Sequence, residues 1–396
     1  MNISVVGQGY VGLPVALAIC SAGHKVFGID SNAMVVAGLN EGKSHIEDIK
    51  DIEIQKLNEF RNYTATSDFT YISKSEVIVV CLPTPLFESN VPDLSILKNA
   101  VIDIAKHLKS GSLVIIESTI QPGTTRKLIL PLILNNSDLG IEDFDLAFSP
   151  ERIDPTNLTW NLQNTPKLVA GLNSKSCSRA VEFYSSFIDK VYECETLEIA
   201  ETAKLLENSF RLINISFINE LTMLCQRLSI DINSVIAAAS TKPYGFMAFY
   251  PSIGVGGHCI PVDPIYLSHT AKEVEVQTKM IDSAVEINKF MPNYFVFRAE
   301  KILGSLDQRK ILVIGVAYKP NISDTRESPV EALILGLRAA GALVDWHDDL
   351  VKVWNGTNSA DLTEEYDLAI LATPHDYLDL AKLGNVPILN TRGSIL

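Results

Sequence analysis

Three closely spaced glycines, Gly7, Gly9 and Gly12, constrain the fold of this chain more than any other feature. They follow a short apolar, β-branched run at 3–6 and open a helical pattern at 11–22. In such an arrangement the first glycine makes a tight turn, the second lets a ligand approach the backbone, and the third lets the helix pack against the strand. The pattern therefore predicts a strand, a turn and a helix whose N-terminus binds a pyrophosphate.

A carboxylate at the end of the next strand narrows the choice of ligand. The apolar run at 26–29 ends at Asp30, 18 positions after Gly12. A carboxylate in this position accepts hydrogen bonds from ribose hydroxyls and repels a 2′-phosphate. We therefore expect a dinucleotide cofactor at this turn, and NAD in preference to NADP.

Strands and helices keep alternating after this first unit. Apolar runs at 77–82, 113–117 and 146–148 predict further strands, and a helix is predicted at 94–108. The same alternation begins again near residue 304, where strands are predicted at 310–315, 344–346, 367–372 and 387–390 and a helix at 329–340. Alternation of this kind is typical of doubly wound parallel sheets. The fold class is therefore α/β, with two Rossmann-like domains.

The middle of the chain has a different pattern. No Gly or Pro occurs from 198 to about 228, and apolar residues recur there at helical spacing, which predicts one long helix. A second helix is predicted over 274–303, interrupted at Pro292 because proline breaks the helical hydrogen-bond ladder. We therefore expect three domains: an NAD-binding domain at 1–196, a central helical and dimerisation domain at 197–303, and a C-terminal α/β domain at 304–396.

Composition excludes several classes of protein. The net charge of −14 disfavours nucleic acid as a partner, since phosphate binding needs a basic face. No apolar run approaches the length of a membrane span, and the N-terminus has no basic region typical of a signal peptide. The six cysteines include no C-x-x-C pair, so we expect neither a metal site nor a disulfide framework. These features indicate a cytoplasmic protein with reduced thiols.

Polar residues follow two of the predicted strands. Residues 81–85 read C-L-P-T-P, and residues 117–123 read E-S-T-I-Q-P-G. They would lie at the edge of the sheet where a cofactor binds, which makes Thr84 and Thr119 candidate contacts. An equally good interpretation is that these prolines and threonines only end the strands.

A glycine-rich loop at 254–258 leads into Cys259 and Asp263. Glycines before a cysteine can let backbone N–H groups converge on an anion or oxyanion, and a helical turn would bring Asp263 to the same space. Polar, electropositive surroundings would make this thiol nucleophilic. The alternative is a glycine-rich loop beside an inert buried cysteine. His258 has no visible partner in the sequence and is interpreted as structural.

Four polar residues recur at spacings of three or four in the predicted long helix: Glu201, Lys204, Asn208 and Arg211. These spacings place them on or near one face. A solvated charged face is the usual explanation for such a row. Lys204 and Asn208 lie close to apolar positions, however, so they are also candidates for a cleft, where a lysine could stabilise an oxyanion.

Seven ordered motifs, spread over nearly the whole chain, together resemble the UDP-glucose/GDP-mannose dehydrogenase family. They read G-x-G-Y-V-G-L-P, L-P-T-P, E-S-T-I-x-P-G-T-T, S-P-E-R, A-E-x-x-K-L-x-E-N-x-x-R, G-G-H-C-I-P-x-D-P and G-V-A-Y-K-P-x-x-x-D-x-R-E-S-P. The form G-G-H-C-I-P-V-D-P is most similar to the branch that oxidises UDP-N-acetylhexosamines. Within it, UDP-N-acetylglucosamine 6-dehydrogenases are the closest likeness and UDP-N-acetylmannosamine enzymes the second.

The resemblance implies an NAD-dependent, four-electron oxidation of a primary alcohol to a carboxylate, with the following catalytic residues. Cys259 would be the nucleophile that forms a thiohemiacetal and then a thioester. Lys204 and Asp263 would hold a water during the first oxidation, and Lys204 and Asn208 would stabilise the thiohemiacetal oxygen. Glu151 would help water to hydrolyse the thioester, and Thr119 would position that water or the nicotinamide.

The resemblance also implies the binding residues and the assembly. Cofactor contacts would come from the glycine turn and from residues that match the family: Gly7, Gly9, Tyr10, Val11, Gly12, Asp30, Thr84, Thr119 and Arg326. Substrate contacts would come from Glu151, Lys204, Asn208, Tyr250, Gly256 and Lys319, with the C-terminal α/β domain holding the uridine diphosphate. The family implies a homodimer formed through the long helix.

Some positions depart from the family pattern, and other functions compete. Val35 stands where a cofactor-binding lysine is usual, and Ser252-Ile253 replaces a P-G pair in the substrate loop. A two-electron β-hydroxyacid dehydrogenase would share the glycine turn but would leave Cys259 and the second α/β domain unexplained. A catalytically silent nucleotide-sugar binding protein is the alternative of another class. A cysteine hydrolase would not explain the glycine turn.

Overall fold

The computed structural model describes residues 1–46, 49–60, 62–153, 157 and 159–393. The chain divides into two compact units, 1–206 and 207–396. The boundary falls inside one long helix, so the predicted central domain is shared between the two units. The division into three domains stays a prediction.

The described residues contain all nine predicted strands and five more that the sequence did not predict. In the first unit they are β1 (Asn2–Val6), β2 (Lys25–Ile29), β3 (Tyr63–Thr66), β4 (Val77–Val80), β5 (Leu113–Ile116), β6 (Asp145–Phe148), β7 (Lys167–Gly171) and β8 (Val191–Glu193). In the second they are β9 (Lys310–Ile314), β10 (Leu343–His347), β11 (Val353–Trp354), β12 (Thr357–Asn358), β13 (Leu368–Leu371) and β14 (Ile388–Asn390).

The helices separate these strands and fill the middle of the chain. They are α1 (Gly12–Ser21), α2 (Ala33–Asn40), α3 (Asp51–Phe60), α4 (Ser95–Ala105), α5 (Leu130–Asn136), α6 (Ser174–Ser185), α7 (Leu197–Arg227), α8 (Ile232–Ser240), α9 (Asp263–Glu273), α10 (Lys279–Leu303) and α11 (Val330–Ala339). The predicted long helix is α7, with 31 residues.

The sheet of the first unit has the order β3-β2-β1-β4-β5-β6-β7-β8. Strand order reverses between β1 and β4, and in doubly wound folds such a switch point opens a ligand crevice at the carboxyl ends of the strands. The prediction of a parallel sheet is wrong at one place, because β7 runs antiparallel to β6. The described residues between β6 and β7 contain no helix.

The second unit contains a smaller parallel sheet in the order β10-β9-β13-β14, and β11 and β12 form a separate antiparallel pair. The switch point lies between β9 and β13. Central strands of both large sheets are buried on both faces, as expected for sheets covered by helices. The predicted α/β fold with two doubly wound sheets and a long central helix is therefore confirmed.

The second helix of the middle region differs from the prediction. Residues 263–273 form α9, and α10 begins only at Lys279 and continues through Pro292 without a break. Pro292 is buried beside Met291 and Phe295, which belong to the core of the second unit. Burial of this apolar ring offsets the missing N–H group, so the proline is retained inside the helix.

Within the described part of the chain, no helix combines the length and apolar character needed to span a bilayer.

Candidate active site

The glycine turn after β1 has the geometry that the sequence predicts. Gly7 has a φ of +90°, and a Cβ placed there would lie 2.4 Å from the carbonyl oxygen of Cys81. A Cβ on Gly12 would lie 1.8 Å from the carbonyl oxygen of Gly7. A Cβ on Gly9 would meet no atom within 4 Å, so this face of the turn is open. Sterics therefore require Gly7 and Gly12, whereas Gly9 faces space that a phosphate can fill.

Asp30 holds the turn in place from the end of β2. Its carboxylate accepts hydrogen bonds from the backbone N–H groups of Gln8 (2.9 Å) and Asn32 (2.8 Å). Gln8 is fully buried, and its side chain accepts from the hydroxyl of Tyr63 (2.7 Å) and donates to the carbonyl of Val5 (2.8 Å). Sequence reasoning missed Gln8, although a polar residue between two fingerprint glycines was a visible signal.

These residues fit a dinucleotide. In the described first turn of α1 there is no acidic residue, and no side chain caps the N-terminus, so its backbone N–H groups favour an anion. Asp30 is partly exposed and can accept from a ribose hydroxyl. Tyr10 is exposed and Val11 half-buried beside the turn, and both stay predicted cofactor contacts.

The two polar segments after β4 and β5 are joined to each other. The hydroxyl of Thr84 donates to the carbonyl of Thr119 (2.7 Å), and the backbone N–H of Leu82 donates to the hydroxyl of Ser118 (2.9 Å). The segments therefore do more than end their strands, since their side chains fix one loop against the other. Thr84 and Thr119 lie together at the carboxyl edge of the sheet, next to the switch point.

Glu201 of α7 anchors the loop that follows Thr119. It is fully buried, and its carboxylate accepts from the backbone N–H groups of Gly123 (2.5 Å) and Thr125 (2.9 Å). Burial raises the pKa of Glu201 to about 7, although these hydrogen bonds oppose the shift. The row of polar residues on α7 is thus not a solvated face: Glu201, Lys204 and Asn208 are buried, and only Arg211 of these four is exposed.

Glu151, which follows β6, is partly exposed and well oriented. One carboxylate oxygen, Oε1, accepts from the backbone N–H groups of Arg152 (2.6 Å) and Ile153. The other, Oε2, lies 3.5 Å from Nζ of Lys167, the first residue of β7. Sequence reasoning also missed Lys167, whose only signal was a charged residue opening an otherwise apolar strand.

In the second unit, Cys259 lies one helical turn before Asp263. The backbone N–H of Asp263 donates to the carbonyl of Cys259 (2.8 Å), so the predicted helical turn is present at the start of α9. Asp263 is buried and accepts from the side-chain amide of Asn208 (2.6 Å). Of the six cysteines, all within the described residues, Cys259 is exposed, whereas Cys20, Cys81, Cys194 and Cys225 are buried and Cys177 is half-buried.

The glycines before Cys259 serve close packing. A Cβ on Gly256 would lie 2.6 Å from the side chain of Tyr318, and a Cβ on Gly257 would lie 2.8 Å from its ring. The N–H of Gly257 donates to the carbonyl of Arg326 (3.2 Å). The expectation that these N–H groups converge on Cys259 is therefore wrong at Gly257, because its N–H is used to hold the loop against 318–326.

Arg326 is fixed by a carboxylate of its own loop. Its guanidinium donates to both oxygens of Asp324 (2.8 Å and 2.6 Å). Partial burial and the Arg326 charge lower the pKa of His258, which favours the neutral imidazole. Tyr250 is exposed and Lys319 is half-buried in the same unit. Arg326, Tyr250, Gly256 and Lys319 stay predicted ligand contacts.

The departures from the family pattern have clear structural roles. Val35 is half-buried and packs against the core of the first unit. Ile253 is buried in the core of the second unit, and the N–H of Ser252 donates to the side chain of Asn219 (2.9 Å). These residues thus support the backbone at positions where the family pattern has a lysine and a proline–glycine pair.

The second unit repeats the glycine turn with one change. Gly315 follows β9 with a φ of +83°, and the N–H of Val316 donates to the carboxylate of Asp348 (2.9 Å), which follows β10. Unlike Asp30, Asp348 is completely buried, and its Oδ2 also lies 3.1 Å from Nε2 of His375. Its Oδ1 accepts from the N–H groups of Leu350 (2.9 Å) and Val351 (3.1 Å).

The first unit, with its glycine turn, partly exposed Asp30 and switch point, is that of a dinucleotide-binding protein. Sequence comparison agrees over most of the chain. Residues 1–192 match the NAD binding domain of the UDP-glucose/GDP-mannose dehydrogenase family, 198–290 its central domain, and 312–392 its UDP binding domain. The chain belongs to this family of NAD-dependent dehydrogenases.

Individual relatives extend over nearly the full length. A UDP-N-acetyl-D-glucosamine 6-dehydrogenase from Pseudomonas aeruginosa is 33% identical, over 94% of this chain and 87% of the relative. A UDP-N-acetyl-D-mannosamine dehydrogenase from Pyrococcus horikoshii is 34% identical, over 95% and 90%. The solved structure of a UDP-D-ManNAc dehydrogenase from Pyrococcus horikoshii is similar with a TM-score of 0.90 and 31% identity, covering 99% of this chain and 95% of that one.

Proposed function

We propose that this protein oxidises the C6 hydroxyl of a UDP-N-acetylhexosamine to a carboxylate in two steps on Cys259. The observation that carries the proposal is the exposed thiol of Cys259, placed one helical turn before the buried pair of Asp263 and Asn208. UDP-N-acetylglucosamine is the favoured sugar, ahead of UDP-N-acetylmannosamine and UDP-glucose, because of the form of the cysteine motif. Relatives named for the first two sugars are about equally similar, so both belong in the assay.

Cysteine chemistry explains how one enzyme can remove four electrons. Bound NAD supplies the hydride acceptor for both oxidations. The first oxidation yields an aldehyde, which has no hydride to lose until a nucleophile makes its carbon tetrahedral. The Cys259 thiolate adds to that carbon and forms a thiohemiacetal. Loss of a hydride from this adduct leaves a thioester, and water then cleaves the carbon–sulfur bond to give the acid and the free thiol.

Lys204, Asn208 and Asp263 would stabilise the oxygen atoms of this sequence. Lys204 and Asn208 are one turn apart on α7, and both are buried. A buried ammonium and an oriented amide stabilise an alkoxide more strongly than water does. Asp263 orients that amide, and with Lys204 it would hold the water that takes the proton of the C6 hydroxyl.

Glu151 would activate the water that cleaves the thioester, with Thr119 positioning it. The Glu151 carboxylate is fixed through Oε1 by two backbone N–H groups, yet it stays partly exposed. A fixed, accessible carboxylate is suited to accept a proton from an attacking water.

The binding residues are proposed on the same basis. Gly7, Gly9, Tyr10, Val11, Gly12, Asp30, Thr84, Thr119 and Arg326 would contact NAD, and Glu151, Lys204, Asn208, Tyr250, Gly256 and Lys319 would contact the sugar nucleotide. The open face at Gly9 supports the first set.

The stoichiometry of NADH tests the proposal. Purified protein is given NAD and, in turn, UDP-N-acetylglucosamine, UDP-N-acetylmannosamine, UDP-N-acetylgalactosamine and UDP-glucose. We expect two NADH per sugar with one N-acetylhexosamine and no acid from Cys259→Ala. Cys177→Ala is the matched control, because this half-buried thiol lies outside the proposed site. One NADH per sugar would remove Cys259 from the mechanism, and none with any sugar would favour the silent binding protein.

We also propose a cytoplasmic homodimer that pairs through α7. This helix exposes the apolar residues Ile199, Leu206, Phe210, Phe217 and Leu224. Their spacings of seven and four are those of a heptad seam, which packs against a second helix. Exposing this apolar row to water would be unfavourable, so a second copy of α7 is the simplest partner that would bury it.

A further inference from the structure

Behind Glu151 lies a buried charge cluster that the reaction scheme leaves without a role. It consists of Lys167, Glu117 and Tyr184. Nζ of Lys167 is 3.0 Å from Oε2 of Glu117, and the hydroxyl of Tyr184 donates to the other oxygen of Glu117. All three side chains are almost completely buried. Burying charge is costly even in a pair, so a purely structural role would be better filled by apolar residues.

The antiparallel strand β7 explains how the lysine reaches this edge. Ala147 pairs with Gly171 and Phe148 with Ala170, and extending the same register places Glu151 opposite Lys167. In a parallel strand the first residue would lie at the far edge of the sheet. The reversal of β7 therefore brings a cation to the carboxyl ends of β5 and β6.

We propose that Lys167 is a positioning residue for thioester cleavage, holding Glu151 as an oriented carboxylate toward the attacking water. This inference rests on the proposed function. Oε1 of Glu151 is held by two backbone N–H groups, and Lys167 fixes Oε2 from the buried side at 3.5 Å. Because both carboxylate oxygens of Glu151 are restrained, the carboxylate is held in one orientation toward the attacking water. Glu117 lies on the other side of the ammonium and keeps it charged.

The charges around Lys167 favour this state. Burial opposes the charged form, but the carboxylates of Glu117 and Glu151 outweigh it and raise the pKa of Lys167. Burial also raises the pKa of the cluster's own Tyr184 phenol and of the neighbouring Cys81 thiol well above the usual range. The phenol and the thiol therefore remain neutral, and Lys167 is the charged group of the cluster that contacts Glu151.

The test separates hydride transfer from hydrolysis. Wild-type holoenzyme is mixed with saturating NAD and sugar nucleotide, and the rapid NADH burst is compared with the steady-state rate. In Lys167→Met we expect a retained burst, a steady-state rate lowered by at least about tenfold, and an acyl adduct on Cys259 after acid quench.

Two further variants make the outcome decisive. Lys167→Arg keeps the charge and should restore most of the steady-state rate. The double variant Lys167→Met, Glu117→Gln leaves no lone buried charge, so it tests the inference even where the single variant fails to fold. Lys175→Met is the control, because this lysine is exposed and pairs with Asp145 at 3.3 Å.

Two results would overturn the inference: an unchanged steady-state rate in the folded variants, or an equal loss of the NADH burst and of the steady-state rate. A wild-type protein that makes one NADH per sugar would instead refute the proposed function.

Discussion

Glu201 gives a prediction whose size can be worked from the structure. Its buried carboxylate is the acceptor for Gly123 and Thr125, at the helical turn that follows the Thr119 loop. Burial raises its pKa from the ordinary value of 4.5 to about 7. The folded protein therefore holds this proton more tightly than the unfolded chain does. The contribution of Glu201 to stability is greatest below about pH 4.5 and falls as the pH rises through 7.

The magnitude follows from the difference between the two pKa values. They differ by about 2.5 pH units, and each unit corresponds to about 1.4 kcal/mol, so full ionisation of Glu201 costs about 3 to 4 kcal/mol. Because unfolded-state ionisation is already under way near pH 5, the part observable between about pH 5 and about pH 9 is about 2 to 3 kcal/mol. Glu201→Gln cannot ionise and should lose this dependence.

The assay is urea unfolding of wild type and Glu201→Gln in parallel, followed across that pH range. We expect the free energy of unfolding of the wild type to fall by about 2 to 3 kcal/mol more than that of the variant. After correction for the base-catalysed rise of intrinsic exchange, protection of the Gly123 and Thr125 amides should fall with pH in the wild type only. The control is Glu198→Gln, on the same helix, whose half-exposed carboxylate pairs with Arg126 (2.8 Å) and should change stability by under about 1 kcal/mol. Parallel curves for wild type and Glu201→Gln would refute the reasoning.

Three further predictions concern cofactor binding and assembly. Gly12→Ala places a Cβ 1.8 Å from the carbonyl oxygen of Gly7. We therefore expect calorimetry to find the affinity for NAD reduced by more than about tenfold. An unchanged affinity would contradict the steric argument. Asp30→Ala should weaken the binding of NAD and reduce the enzyme's preference for NAD over NADP by at least about tenfold, measured as a ratio of kcat/KM values. An unchanged ratio would exclude Asp30 from ribose binding. Phe217→Asp puts a charge into the apolar row of α7 and should shift a dimer toward monomer in sedimentation velocity, whereas Arg211→Asp, off that row, should not.

The local pattern of the sequence determines most of the fold. Strand and helix periods, glycines and the absence of breakers locate β1, α1, β9 and the 31 residues of α7 to within a residue or two. The errors arise where tertiary packing decides. The sequence predicts a break in the helix at Pro292, but burial of the proline ring keeps α10 continuous. The direction of β7 is not encoded in its apolar composition, since parallel and antiparallel strands bury the same residues.

The candidate site was predictable where one motif holds both partners. Cys259 and Asp263 are four residues apart, so their shared helical turn follows from local geometry. Lys167 and Glu117 are far apart in sequence and meet only through strand register, so no motif contains both. The hydrogen bond of Gly257 was not predictable either, since its N–H donates to the carbonyl of Arg326, in a loop distant in sequence.

The repeat of the glycine turn at Gly315 bears on how the protein discriminates between NAD and the sugar nucleotide. A cell offers NAD and sugar nucleotides together, and two similar α/β units risk mutual inhibition by each other's ligand. Both carboxylates accept backbone N–H groups, but Asp30 is partly exposed, whereas Asp348 is completely buried and also contacts His375. A ribose seated at the second turn as NAD would be at the first finds no acceptor. Because Asp348 is buried against His375, we expect the second unit to bind NAD poorly and to leave the cofactor to the first unit.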